Sequence, residues 1–398
     1  MLLNFMLKLL PHNKCLLVDD HMLPRYWSSV WSIYHEGGLA ESTHRQKLRD
    51  IETLYVHAEG MGCNLDDALY RLDLAALGSA LEAFFVTLRN TSGSSFSAVR
   101  RWNTTFHFVH DTCERLERDP HVGNKMADIR ARMSRLDNLY MGLRPFKRRM
   151  GNKVRAIPRS VLIELMETVT PGSATNPFEY AETQWRVFAL VTLLLFEGLR
   201  QGEALTLTAD FLKSERDPVS GQLKCYLSVM TAESLDDPRN SKPSIKTVDS
   251  IRTLPMTEQT ATGLQVYFDN YRGKPNHAFF LSSIQNKPLS AEGVRLMMKR
   301  ISNALSPQSR AKLKNLTGND CVTSHAFRHT CAVVRLKQWL ANGLSPEQAM
   351  ANMRSFFGWS RESTMPLLYG KTALDERLNE SWNEALDDRL NMLRNLPE

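Results

Sequence analysis

Thr323-Ser324-His325-Ala326-Phe327-Arg328-His329-Thr330 is the stretch that decides how the rest of this chain is read. A His and an Arg three residues apart share one face of a helix. Thr323 or Ser324 caps its start through a side-chain oxygen, and Asn342-Gly343 ends it. Behind the polar pair run Ala332, Val333, Val334, Leu336, Trp339 and Leu340. The spacing therefore predicts a buried helix over 324–341 with an imidazole and a guanidinium at its N-terminal end. Such an end already attracts anions through its free N–H groups and the helix dipole. The motif alone fits equally a satisfied core histidine beside a surface arginine.

Three further pieces bear on that choice. Upstream lies Phe196-Glu197-Gly198-Leu199-Arg200-Gln201-Gly202-Glu203-Ala204-Leu205. Downstream lie Phe357-Gly358-Trp359 and then Tyr369, and Lys246 precedes a strand-like Arg252-Thr253-Leu254-Pro255-Met256. The order is Arg, Lys, His-x-x-Arg, Trp, Tyr. Across residues 157–372 it resembles the tyrosine recombinases, the phage-type integrases. The resemblance implies a mainly α fold with a small antiparallel sheet, in which a helical core-binding domain precedes the catalytic domain. It also departs from the family in places. Most relatives carry His where this chain has Trp359, and the interval from Trp359 to Tyr369 is one residue longer than usual. Pro366, three residues before Tyr369, is expected to disturb a continuous helix there.

The chemistry to be explained is demanding. A phosphodiester is a poor electrophile with a poor alkoxide leaving group. Breaking it without water or metal needs a nucleophile, cations on the nonbridging oxygens and an acid for the leaving oxygen. The resemblance implies that Tyr369 attacks to leave a 3′-phosphotyrosyl link and a free 5′-hydroxyl. Arg200 and Arg328 hold the phosphate through planar forks, and His325 assists proton transfer at the nucleophile. Trp359 donates its indole N–H, and Lys246 protonates the leaving 5′ oxygen, with Lys242 four residues away as the competing donor. Glu203 and His329 orient and pack these groups. From spacing alone, Glu203 is placed to hold the Arg200 guanidinium by a charge-assisted bond. No cofactor or metal is called for. The implied partner is double-stranded DNA bearing specific recombination sites, bound by a homo-tetramer, with accessory DNA-bending or directionality proteins.

Composition sets bounds on these readings. The chain has 398 residues, room for two or three domains. A formal net charge of +7 and a pI near 9.1 favour an anionic partner without naming it. Six scattered Cys with no C-x-x-C pair fit reduced thiols in a cytoplasmic protein better than a disulfide frame or a zinc site. The longest apolar run, 187–196, is too short to span a bilayer. Met1–Leu10 lacks a cleavage pattern, so it is read as an arm rather than a signal peptide.

The domain expectation is an arm over 1–21, a helical DNA-binding domain over 22–142, a basic linker over 143–160 and a catalytic domain over 161–398. Helical spacing recurs through 26–34, 43–57, 74–88, 97–116 and 126–143. Arg100, Arg101 and His107 are candidates to face DNA, or simply a solvated face. Arg144, Lys147, Arg148, Arg149, Lys153 and Arg155 crowd the linker without an acid, interrupted by Pro145 and Gly151. By itself that run is a solvated charge stretch; between two DNA-binding domains it becomes a DNA contact that releases counterions. In the catalytic domain, helices are expected over 161–169, 183–196, 258–271, 290–304, 324–341 and 346–356, and strands over 223–230 and 252–256. After Tyr369, Leu374, Leu378, Trp382, Leu386 and Leu390 form an apolar stripe opposite Asp375, Glu376, Glu380, Glu384, Asp387 and Asp388. DNA would repel that acidic face, so the helix is expected to pack on protein, on its own domain or on a neighbouring protomer.

Other classes remain in view. A type IB topoisomerase uses similar chemistry on one duplex, and a silent relative would keep the fold and bind DNA only. A zinc hydrolase built on His325 and His329 lacks the Glu of H-E-x-x-H and would place Arg328 between two metal ligands.

Overall fold

The computed structural model describes residues 7–9, 15–35, 38–39, 41–92, 96–117, 156–216, 218–219, 221–231, 237–239, 242–243 and 248–370, with four single positions between 131 and 138. The chain divides into two compact units, Met1–Met150 and Gly151–Glu398.

The first unit opens with an antiparallel ladder, β1 (Leu7–Leu9) against β2 (Cys15–Leu17), in register Leu7↔Leu17. Among the described residues five helices follow: α1 (Tyr26–His35), α2 (Glu41–Gly60), α3 (Leu65–Tyr70), α4 (Leu74–Ser92) and α5 (Phe96–Glu117). Three-residue strands offer too little alternation to be read from sequence, and the six residues of α3 too few turns. Trp31, Leu48, Ile51, Leu54, Tyr55, Phe84, Trp102 and Phe108 form one core, which Cys15 and Leu17 join. Asp66, in α3, caps α1 from a distance: it accepts from the backbone N–H groups of Tyr26 at 2.8 Å and Trp27 at 3.1 Å, and from Tyr55 Oη at 2.6 Å. Buried Asp50 accepts from Arg100 Nε at 3.0 Å and lies 3.7 Å from Arg101 Nε. These two arginines, read as candidates to face DNA, lie against a buried acid and stay partly exposed, at 40% and 32%; His107 is exposed. The expected helix over 126–143 lies outside the described residues apart from the four single positions.

The second unit is organised on α6 (Arg159–Val169) and α7 (Ala181–Leu195). Val187, Ala189, Leu190, Val191, Leu193 and Leu194 make α7 apolar on all sides, and all are buried. Short α8 (Gln201–Thr206) leads to an antiparallel meander in the order β3 (Leu212–Arg216), β4 (Leu223–Val229), β5 (Arg252–Met256). Cys225, Leu227 and Val229 point inward from β4, with Leu227 opposite Leu254. The edge strand β3 was not expected, because Lys213, Glu215 and Arg216 hide any apolar alternation; charges there suit an exposed edge. The helix expected over 258–271 is α9 (Glu258–Val266) followed by a π-helical turn, Tyr267–Tyr271. Then come α10 (Ala291–Ala304), an unforeseen α11 (Pro307–Thr317), α12 (Ser324–Ala341) and α13 (Pro346–Phe357). The Thr323 hydroxyl caps α12 by accepting from Ala326 N–H at 3.2 Å. Ser345 and Gln348 cap α13 reciprocally with Pro346 in its first turn, as their spacing predicts. None of the six cysteines is in a disulfide. No helix among the described residues is long and apolar enough to cross a membrane.

Two glycines lock this unit together. Gly198 has φ +60°, and a Cβ there would stand 2.5 Å from Phe357 Cε1 and 3.0 Å from Cys331 Sγ. Gly358 has φ +57°, and its Cβ would stand 2.9 Å from Asp249 O and Ser250 Cα, both backbone. Gly358→Ala therefore combines left-handed strain with a clash against main chain, and is expected to cost about 2–3 kcal/mol in urea unfolding. Gly172 has φ +79° with nothing within 4 Å, so Gly172→Ala should lose only about 1 kcal/mol. Equal losses in the two variants would mean that the turn at 358 tolerates a side chain.

Candidate active site

Glu203 is the centre of the candidate site. It sits in the first turn of α8, 1% exposed, and its Oε2 accepts the Arg200 backbone N–H at 2.9 Å while its Oε1 accepts from Arg200 Nη1 at 2.5 Å. The same Oε2 accepts from Arg252 Nη2 at 3.0 Å and lies 3.6 Å from Arg328 Nη1. Burial pushes the Glu203 carboxyl up, but Arg252 and Arg328 outweigh it and the net shift is downward. It remains an anion among three guanidinium groups.

Each arginine is also held by backbone oxygens. Arg328 Nη1 donates to Gly198 O at 2.6 Å and Nη2 to Phe357 O at 2.5 Å. Arg252 Nε donates to Phe356 O at 2.8 Å, and Arg200 Nη2 to Gly358 O at 3.3 Å. The Phe357-Gly358-Trp359 stretch thus presents the carbonyl-rich C-terminal end of α13, which three cations satisfy. Burial lowers the Arg328 pKa, Glu203 opposes that, and Arg200 and Arg252 add to it; a guanidinium keeps its proton under such a load.

Tyr369 closes the arrangement. Residues 365–370 are helical, and Pro366, expected to break a helix, instead lies in its first turn, where a missing N–H costs nothing. The Tyr369 hydroxyl is 2.6 Å from His329 Nδ1, and its ring stacks on Trp359 with centroids 5.7 Å apart and planes 7° from parallel. Tyr369 is 1% exposed. Burial raises its pKa, Arg328 pulls the other way and Cys331 adds to the rise, so the phenol is protonated at neutral pH. His325 is exposed and meets His329 edge to face at 4.3 Å between ring centroids. The hydroxyl's partner is therefore His329, one helical turn beyond the His325 expected there.

The structure thus brings together Arg200, Glu203, His325, Arg328, His329, Trp359 and Tyr369. Lys246 lies outside the described residues, as do Arg144, Lys147, Arg148, Arg149, Lys153 and Arg155; Lys242 is exposed. Arg252 and Ser250, whose hydroxyl accepts from Arg200 Nη1 at 3.0 Å, were not picked out as site residues. The available signal for Arg252 was its place at the head of R-x-x-P, which marks the strand but not the direction of its side chain.

No protein-family model matches the chain, and no curated protein sequence does. Solved structures do. The Tn1549 transposon integrase, residues 82–397 in complex with circular intermediate DNA, is similar with a TM-score of 0.50 at 17% identity, over 88% of this chain and 98% of that one. The fold is that of the tyrosine recombinases. XerA recombinase is also matched, with a TM-score of 0.37 at 15% identity over 89% of this chain and 97% of that one. In this fold the stretches quoted around Arg200, His325 and Trp359 fall on the turn from α7 into α8, the start of α12 and the end of α13.

Two measurements probe this centre. Glu203→Gln leaves three guanidinium groups without their anion and should destabilise the unit by about 3–5 kcal/mol; a loss under about 1 kcal/mol would show that the backbone oxygens suffice. Glu197, beside Gly198, is buried with Oε2 meeting no hydrogen-bond partner. Burial pushes its carboxyl up to about 7, against the pull of Arg335. A folded pKa above the unfolded one gives stability that is full below about 4.5, lost as pH rises to about 7, and flat beyond. Glu197→Gln should remove that slope, gaining up to about 3 kcal/mol at pH 8 relative to pH 4. Parallel pH–stability curves for wild type and variant would exclude it.

Proposed function

We propose that this chain is a site-specific DNA recombinase of the integrase type, cutting and rejoining DNA through a 3′-phosphotyrosyl intermediate. One observation carries the reading: the Tyr369 hydroxyl, a hydrogen-bonded imidazole and the Arg200–Arg328 pair converge on one place. The sequence boxes support it. So does the integrase of like fold, whose structure is a DNA complex.

In the proposed reaction, Tyr369 Oη attacks the phosphorus and its proton passes to an imidazole, His329 in the geometry described. The P–O5′ bond breaks, and the phosphate stays joined to the 3′ oxygen and to the tyrosine. The 5′ oxygen takes a proton, a role the sequence pattern gives to Lys246. Arg200, half-buried, and His325, exposed, face the incoming phosphate first. Attack on a DNA phosphate requires the sealed Tyr369 to leave its stack on Trp359, so the geometry described corresponds to a restrained state. Rejoining reverses each step with a 5′-hydroxyl from a second strand. We assign DNA binding to the helical first unit and to the basic run 144–155. The apolar stripe after Tyr369, opposite the acidic face, is assigned to subunit contact in a tetramer, and the protein to the cytoplasm with accessory DNA-bending or directionality proteins.

A nicked suicide substrate bearing candidate sites tests the reading. Wild type should form a covalent protein–DNA adduct in the presence of EDTA. Tyr369→Phe should abolish the adduct with DNA binding nearly unchanged, and Arg200→Ala should slow cleavage by at least about 100-fold. An adduct surviving in Tyr369→Phe, or one lost on chelation, would overturn the mechanism.

A further inference from the structure

Four arginines are buried among the described residues: Arg25 at 6% exposure, Arg186 at 3%, Arg239 at 8% and Arg328 at 3%. Three of them face carboxylates. Arg25 is bound to Glu52 and Glu59, Arg239 to Asp237, and Arg328 lies against Glu203. Arg186 has no carboxylate within salt-bridge reach among the described residues. Its Nη1 donates to Thr183 Oγ1 at a long 3.3 Å, and its Nε meets no acceptor. Tyr267 Oη is a further neighbour of this guanidinium. Burial pushes that phenol above its ordinary pKa, so it is neutral and supplies no countercharge. A buried cation without an anion is costly, and truncating it or pairing it would relieve the cost.

Arg186 lines an open pocket of about 420 Å³ in the second unit, a volume in the range of small-ligand sites. Arg272 is a second guanidinium on the wall; its Nε and Nη2 donate to the carbonyls of His277, Phe279 and Phe280. The remaining lining includes the rings of Tyr180 and Tyr271, the amides of Asn270 and Asn286, and Ser283. The one acid on the wall, Glu182, is exposed at its edge. Two cations on the wall of an open space suit a dianion; carbonyls occupy the Nε–Nη2 edge of Arg272 and leave its Nη1 to reach a phosphate oxygen. Inorganic phosphate would fill only a small part of the space. Two phenol rings and two amides beyond the cations fit a flat, hydrogen-bonding ring.

We propose that this pocket binds a nucleotide, its phosphate seated on Arg186 and Arg272 and its base against the tyrosines and amides. The site is distinct from the candidate active site: none of its lining residues belongs to the Glu203 cluster, and the helix from Arg186 to its end at Leu195, about 14 Å at the helical rise, precedes Arg200. The inference stands whether or not the chain recombines DNA. The nucleotide is either free or the end of a DNA strand.

Calorimetric titration of the full chain with adenosine 5′-monophosphate tests it, with adenosine as control. The monophosphate should bind saturably and raise the melting temperature, and adenosine should do neither. Asn270→Asp places a carboxylate in the pocket without emptying the core. It should weaken monophosphate binding by at least about tenfold, one charge-assisted contact turned repulsive, and leave adduct formation on the suicide substrate unchanged. Arg186→Met, if folded, should abolish binding. Competition by a 5′-phosphorylated single strand, but not by its unphosphorylated twin, assigns the nucleotide to a DNA end. Indifference to both assigns a free nucleotide. Absence of saturable binding, or binding undiminished in Asn270→Asp, would overturn the proposal.

Discussion

A single carboxylate, Glu203, holds Arg200, Arg252 and Arg328 around one point. Three guanidinium groups within one small volume repel one another and dehydrate poorly. An anion at their centre, itself almost wholly out of solvent, makes the assembly possible, and its two oxygens fix where each fork lies. The charge balance is deliberately incomplete. Three positive charges against one negative leave an excess that faces outward through Arg200, the most exposed of the three. Such an excess favours an anion at the exposed edge of the cluster.

The carbonyl oxygens that share the arginines belong to chain ends that helices normally leave unsatisfied. α13 stops at Gly358 in a left-handed turn, and the oxygens of Phe356, Phe357 and Gly358 accept from Arg252, Arg328 and Arg200. What would be an unmet need of a buried helix terminus is met by the three arginines. The glycines follow from this. Only a residue without Cβ lets the turn at 358 lie against Asp249 and Ser250, and only such a residue at 198 lets its carbonyl reach Arg328 beneath Phe357. The packing of the turn and the placement of the cations rest on the same bonds.

Much of this was legible from residues alone, for identifiable reasons. The strands over 252–256 and the helix over 324–341 carried both periodicity and punctuation, and their bounds were read correctly or nearly so. β3 and α11 were missed because charged and polar residues erased the period on their exposed faces. At the site, the spacing of Arg200 and Glu203 foretold their bond. What sequence does not carry is the direction of a side chain across a sheet or between helices. Arg252 turning toward Glu203, and His329 rather than His325 meeting the Tyr369 hydroxyl, both depend on tertiary packing. Pro366 shows the reverse error. A proline read as a breaker is, at the first turn, a starter.

The bonds around Glu203 also impose an order in time. Arg328 reaches Gly198 across 130 positions of chain, and Arg200 reaches Gly358 across 158. On the ribosome, Arg200 and Glu203 emerge well before residues 356–358 exist. Until α13 is made and docked, the carbonyls that orient the forks are missing, and the cations remain ordinary solvated side chains. A nascent chain therefore carries no organised guanidinium cluster. That cluster appears only when residues 356–358 have been synthesised and docked.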